Sequence, residues 1–393
     1  MNTTRRNYIL PVIVIAQFAC TSTWFAGNAV IGDIIQHFHL EPKALGHLSS
    51  AVQLGFISGT LVFAVFTISD RYSPSKVFFL SSIAAALSNL LIFIAGGLPM
   101  ILVSRYLTGF FLAGIYPVGM KIASDYHKEG LGKALGYLVG ALVVGTAFPH
   151  LVKGLTQGLS WMSVMMATSA LSVFGGAMIL FFVPDGPYRS RSSRLDLTLF
   201  VKIFKNKIFR SAAFGYFGHM WELYAFWTFI PVILSTYTSL HPETKLNIPL
   251  FSFLIIGVGG VACVTGGYLS QYFGSGKIAF AALLISFICC LISPFLFHLP
   301  TTVFFAILFV WGMAVITDSP QFSTLVAHAS RAETKGTAIT ITFSIGFFIT
   351  IISIEVLNLL SGLIDPEKIY LILALGPIVG LMAMYKITFG KTC

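Results

Sequence analysis

The sequence predicts an all-α integral membrane protein whose twelve spanning helices form two six-helix bundles. Three observations carry this. The composition is 56% hydrophobic and only 10% charged, with mean hydropathy +0.87, where a soluble domain carries about 25% charged residues. A window of about 20 mainly apolar residues, the length that crosses a bilayer core, finds twelve candidate spans. The second half of the chain also repeats features of the first in the same order.

The candidate spans start near Tyr8, Ala44, Val77, Pro99, Ala134, Trp161, Ser211, Pro249, Lys277, Pro300, Thr337 and Ile369. Arg5 and Arg6 lead directly into the first apolar run, too soon for a cleavable secretory signal, so that span is expected to be retained. An even number of spans puts both termini on one side. Most of the 24 Lys and Arg fall on that side. The exceptions are Lys43, Lys153, Lys245 and Lys368 opposite, and Arg105 and Lys121 within the fourth span. The bias matches the positive-inside rule and predicts cytoplasmic termini in a cell (inner) membrane. The net charge of +10 therefore reflects basic loops beside anionic lipid rather than a nucleic-acid surface.

The longest polar connection, PDGPYRSRSSRLDLTLFVKIFKNKIFR (Pro184 to Arg210), follows the sixth span. It divides the chain into an N-terminal bundle (1–188), a basic cytoplasmic linker (189–209) and a C-terminal bundle (210–393). FTISDRYSPSK (Phe66 to Lys76) is matched by GYLSQYFGSGK (Gly267 to Lys277) in the second half. Gly109 and Pro117 find Gly312 and Pro320 at one common offset, and TWFA (Thr23 to Ala26) falls opposite ELYA (Glu222 to Ala225). Near-equal offsets in order indicate a duplicated six-helix unit with pseudo-two-fold symmetry, a construction of secondary transporters. Glycines in the fifth span (Gly136, Gly140, Gly145) and the eighth (Gly257, Gly259, Gly260, Gly266, Gly267) suit close helix approach. The five cysteines show no metal or redox spacing and read as small buried hydrophobes.

Two motifs carry a family resemblance. DRYSPSKV (Asp70 to Val77) resembles the G-x-x-x-D-R-x-G-R-R/K loop signature of the major facilitator superfamily, in the expected place after the second span. Phe66 replaces the first Gly, and Ser73, Pro74 and Ser75 replace the Gly-Arg-Arg portion. RYLTGFFLAGIYP (Arg105 to Pro117) resembles the R-x-x-x-G motif of the fourth helix. AGIYPVGMK, GALVVGTAFPH and GHMWELYAFW are similar to a group of bacterial members. The resemblance implies a twelve-helix secondary transporter working by alternating access. It also implies that Arg105 belongs to the substrate or proton pathway and that Asp70, with Arg71, forms a cytoplasmic gate holding the bundles together. Gln271 and Tyr272 occupy the repeat positions, so such a latch is one-sided. The Gly-Pro pair of drug–proton antiporters is displaced here to Gly145 and Pro149, which counts against that subclass.

Ionisable groups in mid-membrane are expensive and mark function by default. Glu222 lies ~17 Å into the seventh span at about 1.5 Å per residue, close to the midplane, with His219 one turn earlier on the same face. The pair reads either as a proton-coupling or cation-binding carboxylate with its proton partner, or as a packing contact in which the two bond each other or a neighbouring helix. A metal site lacks a recognisable third ligand. Trp221 and Tyr224 on an adjoining face could stack a planar ligand or simply pack. Trp24 and Asn28 are an aromatic and a polar group on one face of the first span. The remaining candidates are Tyr116 and Lys121 in the fourth span, His150 in the fifth, Asp318 and Gln321 in the tenth, and Glu355 in the eleventh.

No phosphate loop, dinucleotide fingerprint or nucleophile elbow is present, so neither an enzyme nor a cofactor is expected. The leading expectation is a proton-coupled secondary transporter, a symporter, for a small anionic or zwitterionic organic solute, acting as a monomer among membrane lipids. The alternatives are proton-linked efflux of a drug-like compound or siderophore, and a non-transporting membrane receptor.

Overall fold

A computed structural model describes residues 8–126, 131–156, 158–189, 200–330 and 335–389. Much of the basic linker and Cys393 lie outside the described residues. The chain separates into two compact units, Met1–Arg194 and Leu195–Cys393.

In the first unit the spans are α1 (Ile9–Thr21), α2 (Ala44–Val65), α3 (Pro74–Ile94), α4 (Leu98–Tyr126), α5 (Leu131–Leu155) and α6 (Trp161–Phe182). In the second they are α7 (Lys207–Leu240), α8 (Ile248–Phe273), α9 (Ser275–Leu296), α10 (Thr301–Ala329), α11 (Lys335–Leu360) and α12 (Ile369–Phe389). Eleven described helices are long and apolar enough to cross a membrane, and α1 is the shorter twelfth.

The shortness of α1 has a local cause. Thr21, Ser22 and Thr23 turn their hydroxyls back onto the carbonyls of Gln17, Ala19 and Cys20, offering the backbone an alternative to the helical ladder. The chain continues through a turn into two short helices, Ala26–Ala29 and Ile31–Phe38. Two other spans break in the middle. In α4 the helix stops at Leu112 and resumes at Tyr116, just before Pro117. In α10 it stops at Thr317 and resumes at Ser319, with Asp318 between and Pro320 following. A proline cannot supply the next ladder donor but suits a first helical turn. The apolar window places the start of α7 near Ser211. The helix begins earlier, at Lys207, where Asn206 caps it by accepting from the backbone N–H of Ile208 at 2.9 Å.

Close packing explains two of the glycines. A side chain at Gly109 of α4 would run into the Val52 carbonyl of α2. Its repeat partner, Gly312 of α10, lies in the same way against the Ile255 carbonyl of α8. The duplicated sequence thus makes the same helix contact in each unit, where small residues let backbones approach.

Candidate functional site

The second unit buries a cluster of ionisable groups in its interior. Glu222, His219 and Asp318 are each 1% exposed. Helical spacing puts His219 and Glu222 one turn apart on α7, but the fold gives them different partners. One carboxylate oxygen of Glu222, Oε1, accepts from Ser286 Oγ of α9 at 2.5 Å, Trp311 Nε1 of α10 at 2.5 Å and Cys290 Sγ of α9 at 3.2 Å. His219 turns instead to the break in α10, where its Nδ1 lies 2.8 Å from Asp318 Oδ1. This is an ion-pair contact in which Oδ1 receives no hydrogen bond of regular angle from the described residues. The imidazole sits between the rings of Tyr216 and Phe322, both centroids 5.9 Å away. Its Nε2 is buried with no hydrogen-bond partner among the described residues. The charge of Asp318 also acts on Glu222. Among the described ion pairs, no lysine or arginine meets either acid. Each proton this cluster binds therefore changes a buried charge by one.

The first unit has a counterpart of opposite sign. Arg105 on α4 is fully buried. Its Nη1 donates to Asn89 Oδ1 of α3 at 2.7 Å, and its Nη2 donates to the carbonyls of Thr23 and Trp24 at 2.9 and 2.6 Å. Those carbonyls are freed where α1 breaks. Asn89 in turn donates to Ser169 Oγ of α6 at 3.0 Å. The two knots occupy related places in the repeat. Thr23 falls opposite Glu222, and the offset that carries Lys76 to Lys277 carries Asn89 to Cys290. One unit uses an arginine to hold a broken helix; the other uses an indole, a hydroxyl and a thiol to hold a carboxylate.

The other candidates separate. Trp24 packs on Phe56 with centroids 4.8 Å apart, and Asn28 donates to Ser49 Oγ at 2.7 Å. Tyr116 is half-buried in the resuming turn of α4. His150 is buried in α5 with Nε2 unpartnered among the described residues. Trp221 donates to the Ile372 carbonyl of α12 at 3.0 Å, whereas Tyr224 packs on Trp227 and on Phe347 of α11. Gln321 is buried beside Pro320, and Glu355 Oε2 accepts from Asn358 at 3.4 Å.

Lys121 reaches Asp70 at 2.8 Å. Around this pair Arg189 donates to the Asp70 and Tyr72 carbonyls and meets Asp185, while Ser73 donates to Asp185 at 2.6 Å. The loop residue Asp70 is thus tied within its own unit to α4, and Arg71 is exposed.

Sequence reasoning missed Asn89, Ser286, Cys290 and Trp311. Spacing alone makes the cysteines plain buried hydrophobes, yet Cys290 is also a donor, as is Cys20, to the Ser172 carbonyl at 3.2 Å. The repeat offset linking Asn89 to Cys290 was the available signal.

Comparison with known proteins agrees with this architecture. The family model described as Major Facilitator Superfamily matches residues 13–389. The uncharacterized MFS-type transporter YfhI of Bacillus subtilis is 25% identical over 362 residues, 87% of this chain and 83% of YfhI. The efflux pump FUB11 of Gibberella moniliformis is 30% identical over 164 residues, 39% of this chain, and the match spans only 27% of that pump. A crystal structure of the nucleoside transporter NupG superposes with a TM-score of 0.73 at 15% identity, covering 97% of this chain and 100% of that one; at this identity it speaks for the fold alone. The chain belongs to the Major Facilitator Superfamily, whose members are integral membrane transporters rather than enzymes.

Proposed function

We propose that this protein is a proton-coupled secondary transporter of a small organic solute, anionic or zwitterionic, working by alternating access. The observation that carries the reading is the buried cluster of Glu222, Asp318 and His219, two acids and an imidazole with no lysine or arginine in ion-pair contact among the described residues. Uncompensated charge in a membrane interior costs about 2.5–3.5 kcal/mol per residue on insertion scales. A set that can trade that charge for bound protons suits coupling to a proton gradient. The guanidinium of Arg105, which meets no acid among the described ion pairs, supports a solute carrying negative charge. The basic loops support insertion in the cell (inner) membrane with both termini cytoplasmic.

The test is a ligand-stabilisation screen across a metabolite panel, followed by uptake of each hit into proteoliposomes with an imposed pH gradient. Accumulation that follows the gradient, collapses with a protonophore and is lost in Asp318→Asn is expected. Uptake indifferent to the gradient would overturn the coupling. The similarity to the efflux pump FUB11 favours efflux as a second reading, which we take as proton-linked efflux of a drug-like compound or siderophore, distinguished by the orientation of the gradient that drives flux.

A further inference from the structure

We infer that the exchanging proton of this cluster binds at Nε2 of His219, with Asp318 as the positioning residue that fixes the imidazole through Nδ1 and Glu222 as a fixed acceptor beside it. This rests on the proton-coupled reading above and names the atom that reading leaves open. The geometry supports it in three steps. Nδ1 of His219 faces a carboxylate oxygen at 2.8 Å, a separation at which two lone pairs would repel. A hydrogen must lie between the two atoms, and with Asp318 ionised it sits on Nδ1, so that in the neutral ring Nε2 is the lone-pair nitrogen. Nε2 is buried without a partner among the described residues, so a proton can bind there without displacing an existing bond. Binding one proton there converts imidazole facing carboxylate into imidazolium facing carboxylate; releasing it restores the neutral ring, with no other bond made or broken.

Glu222 is held differently. Three donors from two helices converge on Oε1, so a proton arriving at that oxygen would have to displace one of them. Among the described residues, the ionisable groups facing the dyad and Glu222 include Asp318 on α10, His219 and Tyr216 on α7, Cys263 on α8 within reach of the charge of Asp318, and Cys289 and Cys290 on α9 within reach of Glu222. Asp318 also lies at the junction of the two halves of α10. The charge of the dyad therefore changes at the place where that span is interrupted.

The experiment needs no solute. The full chain, reconstituted in lipid with nitrogen-15 histidine, is titrated by solid-state magnetic resonance, and the His219 signal is identified by its loss in His219→Asn. The expected result is a neutral ring protonated at Nδ1 in alkaline buffer that gains a second proton at Nε2 on acidification. Glu222→Gln should keep both features, and Asp318→Asn should lose the preference for Nδ1. If Asp318→Asn fails to fold, Asp318→Glu takes its place and should retain the preference. A ring that stays neutral wherever the protein stays folded would overturn the proposal. So would a neutral ring protonated at Nε2, or proton uptake abolished in Glu222→Gln. A protonated Nε2 without gradient-driven accumulation would remove the coupling reading and keep the dyad. Gradient-driven accumulation with a neutral His219 throughout would do the reverse.

Discussion

Replacing Arg105 by Met should destabilise the first unit far more than a surface change would. The guanidinium holds three contacts at 2.6 to 2.9 Å, to Asn89 and to the two carbonyls freed at the α1 break. Hydrogen bonds to charged groups contribute about 1.5–3 kcal/mol each, so the gross loss is about 4.5–9 kcal/mol. Part is returned, because burying an ion costs several kcal/mol that the methionine avoids. A net loss of about 2–4 kcal/mol remains, and for a unit of this size roughly 2–4 °C per kcal/mol gives a Tm lower by roughly 4–16 °C. Arg105→Lys should recover only part of it, since an ammonium cannot span carbonyl and amide oxygens as a planar fork does. The assay is thermal unfolding in detergent by intrinsic fluorescence, run beside uptake of any identified solute. An unchanged Tm in Arg105→Met would refute the structural argument. With transport lost at the same time, it would leave Arg105 with the substrate pathway alone.

Three further outcomes are expected. Gly109→Val should force α2 and α4 apart at the Val52 carbonyl and lower stability by about 1–3 kcal/mol or more, with Gly312→Val doing the same against Ile255; a wild-type unfolding temperature in both would contradict the close packing. Asp70→Asn and Lys121→Met should each break a largely buried ion pair and lower stability by about 1.5–3 kcal/mol, as for a hydrogen bond to a charged group, with the double mutant less than additive in a thermal cycle. The contact with Asp365 at 2.6 Å raises the ammonium of Lys368 above its ordinary value. Its contribution is therefore present below that ordinary value and lost as pH rises through the raised one, so Lys368→Met should alter only the strongly alkaline flank of a pH–stability profile.

The sequence by itself determined the features that composition and period dictate. Apolar runs long enough to span, basic residues gathered in the loops, and features repeated in order require a duplicated helical membrane protein whatever the details of packing. It also located Glu222, His219 and Asp318, because ionisable residues inside apolar runs stand out without any coordinates. Which of these meet was decided only by the tertiary structure. One turn of helix places His219 and Glu222 on one face of α7, but a side chain pairs with whatever the neighbouring helices bring, and α9 and α10 arrive from roughly 60 to 100 residues away. Serine, cysteine and tryptophan at positions 286, 290 and 311 are unremarkable in an apolar span, and become the donors of Glu222 only when two such spans pack against α7. The break in α1 was equally hidden: hydroxyl residues mark where a helix can stop, but Arg105, some eighty residues later, supplies the bonds that stabilise the stop.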